Sequence, residues 1–242
     1  PFMFVGFDTI PQAAEEINLP FRDIGTVLML SVFMGVAWYS LIILGVGLML
    51  GPGEYESTEL AAVEANSMIY GSFGRFAMLS AGLAGIITSW NAFIVGGSRA
   101  IYSLARARLI PASFAELHPV YRSPKNAIIL MGVLSMFGPF FGRPVLVWLV
   151  NAGGLGIVIA YAMVAFSFLV LRRREPDLPR PFRVRFGGLV GGMAFVLSIG
   201  LASLYMPGSP SALLWPSEWI MFLGWCLLGA VMYFMTTKNR DD

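Results

Sequence analysis

The residues best placed to do chemistry lie at the very start of the chain. Asp8 stands between Gly6 and Pro11, in a stretch that opens apolar enough to enter a membrane. The stretch then runs through Ala13, Ala14, Glu15 and Glu16 to polar residues ending at Asp23. A helix that only had to cross lipid would avoid all three interruptions. Glycine frees backbone carbonyls, proline removes a donor, and a charge at depth is costly. Together they predict a broken helix that lines a cavity, the place where secondary transporters hold a substrate. The competing reading is an apolar patch followed by an amphipathic soluble helix. Asp8 is the one ionisable residue expected at membrane depth, and such a residue by default marks an ion, proton or substrate pathway. Its structural alternative is a carboxylate hydrogen-bonded to backbone donors that the break sets free.

Other chemistries lack their parts. The sequence holds no HExxH, paired-cysteine motif, GxSxG or P-loop. No two carboxylates are expected to meet on a buried helix face; Glu15 and Glu16 sit at the predicted cytoplasmic exit. The single cysteine, Cys226, can form no internal disulfide, and its apolar surroundings make it a small core residue. The single histidine, His118, has no cluster of ligand residues around it and reads as a solvated or loop-packing side chain. No enzyme activity, cofactor, metal site or nucleic-acid partner is therefore expected. The glycine-rich stretches 151–156 and 187–192 resemble nucleotide loops only superficially. No strand precedes either, so close helix packing or local unwinding is the better reading. Asn91, polar and expected at depth, serves either an interhelical hydrogen bond or a ligand site.

The elements that must hold these residues follow from composition and charge. Of 242 residues, 57% are hydrophobic and only 12% charged, about half the charge of soluble domains; the mean hydropathy is +0.74. Charge-free runs cover 24–53, 76–98, 126–142, 144–171, 186–217 and 219–237. Roughly 20 apolar residues cross a bilayer, so each run holds one span. The run 126–142 is marginal, and 186–217 is one span plus a loop broken at Pro207–Pro210. With the broken opening segment, seven spans are predicted. Every lysine and arginine except Arg75 and Arg143 then falls on one side, opposite the acidic cluster Glu54, Glu56, Glu59 and Glu64. This places the start of the chain outside and Asp242 in the cytoplasm. The basic stretch 172–185 anchors that side and can contact anionic lipid. Trp38 and Tyr39, mid-span, are expected to pack. In the external loop 51–75, Thr58 is expected to cap a short helix with Glu59 in its first turn. Beginning at Pro1, within an apolar segment, the chain is expected to be cut from something longer.

Two stretches carry a family resemblance. Phe4, Val5, Gly6, Phe7 and Asp8, followed by Ala13–Glu16, Asn18, Pro20 and Arg22, resemble the sixth helix of amino acid–polyamine–organocation (APC) superfamily permeases. Ser98, Arg99, Tyr102, Ala105, Arg106 and Leu109–Pro111, with His118, Pro119 and Pro124, resemble the eighth helix and its following loop. Ala107 and Arg108 stand where that family commonly has Asp-Gly, and Leu19 separates Asn18 from Pro20 where Asn-Pro is frequent.

The resemblance covers the whole chain as helices six to twelve of twelve. It implies an all-α polytopic membrane protein with part of a five-plus-five inverted-repeat fold. The second repeat would cover about 1–171 and two accessory helices about 186–236, within one transmembrane domain. It further implies alternating-access transport of an amino acid or related amine or polyamine across the cytoplasmic membrane, by proton coupling or exchange, with sodium the other candidate ion. Helix-six carbonyls of Phe2, Met3 and Val5, around Gly6, would accept the substrate's amino group. Phe2 matches an aromatic gate and Asp8 an acidic position linked to proton-dependent gating, while Asn91 and Phe93 fall near pocket-facing positions. The carboxylate-binding half of the site would come from helices one to five, absent here. A seven-helix receptor and a non-transporting half-permease scaffold are the alternatives.

Overall fold

The computed structural model describes residues 6–12, 14, 17–51, 53, 57–58 and 60–238. Among them every regular element is helical. In chain order these are α1 (Thr9–Gln12), α2 (Phe21–Met49), α3 (Ala61–Arg106), a 3-10 turn (Ala112–Ala115), α4 (Lys125–Phe137), a second 3-10 turn (Gly138–Phe141), α5 (Gly142–Arg174), α6 (Gly187–Ser203) and α7 (Ser217–Lys238). The stretches Phe21–Met49, Ala61–Arg106, Lys125–Arg174 and Ser217–Thr236 are long and apolar enough to cross a membrane, and Gly187–Ser203 is a shorter apolar helix. The chain is thus an all-α polytopic membrane protein. The count of seven spans adds to these four the separate α4, the short α6 and the broken opening segment. The loop foreseen within 186–217 is present, following α6 as turns and extended residues up to Ser217.

Two compact units divide near Gly96. In the first, 6–96, α2 begins where Pro20 (φ −58°) leaves off, with Asp23 in the first turn, and ends at the extended Leu50. Its 29 residues reach about 43 Å at 1.5 Å each, more than a bilayer core. It is apolar all round, and Phe33, Trp38 and Leu48 are 71%, 63% and 87% exposed; such a helix faces lipid or other apolar helices. Trp38, expected to pack, does not do so within this unit. Helix α3 starts at Ala61, where the Leu60 carbonyl accepts from Val63 and Glu64, so Thr58 is not its cap. The helix is interrupted at Gly71 (φ 60°, ψ −143°), a conformation essentially confined to glycine. The helix before Gly71 and the following span are therefore separate rods meeting at one residue. Asn66 Nδ2 donates to the Gly74 carbonyl at 3.1 Å, and Arg75 pairs with Glu64 at 2.8 Å.

In the second unit, α3 ends in a Schellman motif. The Leu109 amide donates to the Leu104 carbonyl and the Arg108 amide to Ala105, both at 3.0 Å. This places Arg108 in the left-handed region at φ 57°. The position that departs from the family's frequent Asp-Gly is one whose backbone favours glycine. Beyond Pro111, His118 Nδ1 accepts from the Val120 and Tyr121 amides at 3.3 Å and its ring lies 4.9 Å from that of Tyr121, a loop-packing role.

Helices α5, α6 and α7 make the core of this unit. Leu155, Val158, Tyr205 and Leu213 are buried together, backed by Ala202, Trp219 and Phe222. Both glycine-rich stretches lie inside helices, so packing prevails over unwinding. A Cβ at Gly154 would fall 2.6 Å from the Tyr205 hydroxyl, and one at Gly191 2.7 Å from Phe168. Beside this core an apolar groove of about 620 Å³ separates α5 from α7, lined by Ala152, Gly156, Phe222, Trp225 and Cys226. Cys226, expected in the core, is exposed.

The polar lock of the unit is Glu218, only 1% exposed. Asn151 Nδ2 on α5 donates to its Oε1, and the Leu214 amide donates to its Oε2, each at 2.7 Å. A buried carboxylate so satisfied joins α7 to α5; deprived of a donor it would be costly. Replacing Asn151 by leucine should lower the unfolding free energy by about 1–3 kcal/mol, read as a fall in the thermal midpoint. Arg108→Gly should act oppositely. Relief of the left-handed strain, set against glycine's greater unfolded freedom, leaves a gain of about 0.5–1 kcal/mol in the same assay.

Candidate functional site

The opening segment is not a continuous helix. Gly6 has φ +128°, open to glycine but strained for any residue bearing a Cβ, although no atom crowds the position. The Thr9 amide donates to the Gly6 carbonyl at 3.1 Å and the Ile10 amide to Phe7 at 3.2 Å, so turns lead into α1. That helix has four residues and contains Pro11. Of the residues before α2, 14 and 17–20 are in turns and irregular backbone, with the Leu19 amide donating to the Ile17 carbonyl at 2.8 Å. The glycine, carboxylate and proline read from the sequence thus mark a real interruption.

Asp8 is half-buried within it. The Gly6 amide donates to Asp8 Oδ1 at 2.9 Å, and Gln12 Nε2 approaches Oδ2 at 3.4 Å. The carboxylate therefore occupies a donor that the break sets free, which fixes the turn. Two carboxylate oxygens offer about four acceptor directions, so room remains for a further proton or cationic donor.

Helix α1 packs on α3 at Gly96, which is buried. A Cβ there would lie 2.7 Å from Gln12 Oε1 and 3.0 Å from Thr9 Oγ1. At 100° per residue, Phe93 sits roughly 60° around α3 from Gly96 and Asn91 roughly 140°. Phe93, 38% exposed, shares the flank facing the broken segment. Asn91 is exposed on the far side and is not brought to it. Phe2, Met3 and Val5, the expected carbonyl donors to a substrate, lie outside the described residues, as do Glu15 and Glu16. Gly6 and Asp8 lie within them.

Thr9, Gln12 and Gly96 are contact residues that sequence reasoning missed. Nothing in the local sequence around Thr9, Gln12 or Gly96 announces that contact, beyond the small size of Gly96, the feature that permits close approach. Glu218 was missed as well, because it sits at the edge of a charge-free run. Among the described residues no group of three or more His, Cys, Asp or Glu could hold a metal ion.

The Asp8 hydrogen bond has a direct readout. In hydrogen exchange, Asp8→Ala should speed exchange of the Gly6 amide about tenfold, equivalent to one bond of about 1.4 kcal/mol, whereas Asp8→Asn, which keeps an acceptor, should leave it within about threefold.

Comparison with known proteins bears on the whole length. The amino acid permease family model matches residues 2–239. The chain is 27% identical over 252 residues to the branched-chain amino acid permease BcaP of Bacillus subtilis (strain 168), covering 99% of this chain and 49% of that protein. It is 25% identical over 245 residues to the methylthioribose transporter of the same organism, covering 99% and 50%. To the vacuolar cationic amino acid transporter 8 of Arabidopsis thaliana it is 29% identical over 210 residues, covering 85% and 34%. The chain spans about half the length of the first two relatives. A match that runs almost from end to end, over an all-helical chain whose opening segment breaks at Gly6 and Asp8, makes this chain a member of the amino acid permease family.

Proposed function

We propose that this chain forms part of a secondary transporter that moves an amino acid or a related amine or polyamine across the cytoplasmic membrane by alternating access. The observation that carries the reading is the interruption at Gly6–Asp8, in a chain whose family is that of amino acid permeases. A broken helix near the bilayer midplane offers unpaired carbonyls, and a half-helix C-terminal end, negative by its dipole, suits a substrate ammonium. In this reading the carbonyls of Phe2, Met3 and Val5 around Gly6 receive the amino group. Phe93 lines the same side and Asn91 a more remote wall. The carboxylate-binding half comes from helices one to five of the same permease. Fourteen of the sixteen lysines and arginines fall on one side of the predicted topology, opposite the acidic loop, which supports an outside start and a cytoplasmic end.

Coupling is assigned to Asp8, with the proton as the coupling ion or with exchange of one substrate for another. The half-buried carboxylate keeps acceptor capacity beyond its bonds to Gly6 and Gln12, and it can take up a proton while one oxygen still accepts from the Gly6 amide. The relatives carry names with different substrates, a branched-chain amino acid, methylthioribose and cationic amino acids, so the proposal extends to the class and not to one compound.

The test uses the complete reading frame that carries this chain, purified into proteoliposomes and given radiolabelled amino acids and polyamines. Saturable uptake of at least one is expected, and absence of uptake for the whole panel removes the transport reading. Asp8→Asn should flatten or shift the pH dependence of uptake. A variant whose pH profile superimposes on the wild type takes Asp8 out of the coupling role.

A further inference from the structure

The segment joining α5 to α6 holds Arg172, Arg173, Arg174, Arg180, Arg183 and Arg185 against only Glu175 and Asp177. These arginines are not equivalent. Arg180 is consumed by the turn itself, its guanidinium donating to the carbonyls of Glu175, Pro176 and Leu178 at 2.6, 2.8 and 3.0 Å. Arg172 folds inward over the Phe168 ring at 4.9 Å and occupies the space beside the buried Gly187, where any Cβ would strike it. The remaining four, Arg173, Arg174, Arg183 and Arg185, are exposed. The ion pairs of the described residues, Arg22–Asp23 and Arg75–Glu64, include none of them. Four guanidiniums are thus presented without a carboxylate partner.

What lies beside them is apolar. Phe186, 70% exposed, and Leu189, 66% exposed, project from the start of α6, and Arg185 stacks on the Phe186 ring at 5.4 Å. The charge-free runs end at Leu171 and resume at Phe186, so this cluster sits where hydrocarbon meets the headgroup layer. Helix α6 also begins without a side-chain cap.

We propose that this turn is a recognition site for the headgroup phosphate of an anionic phospholipid. Arg173, Arg174, Arg183 and Arg185 hold the anion, and Phe186 and Leu189 lie along the upper acyl chain. A free phosphate would use the arginines alone and would leave the exposed phenylalanine and leucine in water, which is why a lipid is the occupant. Planar guanidiniums match phosphate oxygens bidentately, and each basic residue near an anionic surface contributes favourably. The proposal rests on the membrane reading and is independent of transport.

The test is native mass spectrometry of the full reading frame carrying this chain, released from equimolar phosphatidylglycerol and phosphatidylcholine. The wild type should retain phosphatidylglycerol about tenfold over phosphatidylcholine, and R173Q/R174Q/R183Q/R185Q should approach parity. A control losing the same charge from the other basic loop, R106Q/R108Q/R122Q/K125Q, should keep the preference. If the quadruple variant misfolds by circular dichroism, R183Q/R185Q replaces it, with an expected loss of about threefold. The proposal is overturned if the control loses the preference equally, which would make net charge the cause, or if the variants retain it. Displacement of phosphatidylglycerol by millimolar glycerol phosphate as effectively as by added lipid would also overturn it, since the site would then read the anion alone.

Discussion

Hydrocarbon offers no hydrogen bonds, so every backbone group released within a spanning chain must find a partner inside the protein. The points where helices of this chain are interrupted obey that requirement with local side chains and turns. Asp8 takes the amide of Gly6 at the first break. Asn66 reaches across the kink at Gly71 to the carbonyl of Gly74. The end of α3 closes on itself through Leu109 and Arg108. Glu218 takes the amide of Leu214 where the chain turns back into α7. The released groups are thereby satisfied within the protein at each of these interruptions.

The same constraint decides what could be read from the sequence. Gly6, Asp8 and Pro11 were legible because each violates the rules of a plain span, and three violations within six residues have few explanations. The helices were legible from uncharged length, and the division of the loop helix from its span was foreshadowed by the polar composition before Phe76. Arg108 was visible as an oddity of type, and its cause appeared only with its backbone angle: the family's frequent glycine suits a left-handed residue, and arginine occupies the same geometry under strain.

Illegible were the relations that join distant residues. Asn151 and Glu218 are 67 positions apart, and neither has a local pattern that announces the other. The contact of Thr9 and Gln12 with Gly96 has the same character. Side-chain environment failed for a different reason. Trp38 and Cys226 are apolar residues in apolar helices, and periodicity cannot tell a face turned to neighbours from a face turned outward when the helix is apolar on all sides. Asn91 lies near Phe93 in sequence but on another side of α3.

The position of Glu218 has a mechanical meaning. Its bonds to Asn151 and Leu214 lie at the first turn of α7, and the aromatic contacts of Trp219 and Phe222 come directly after. Farther along, Trp225, Leu227, Phe234 and Met235 are 65–72% exposed. Helix α7 is therefore a cantilever, clamped at one end and carried by its surroundings along the rest of its length. A small rotation of α5 about its own axis would be magnified at the far tip of α7, some 30 Å from the clamp at 1.5 Å per residue.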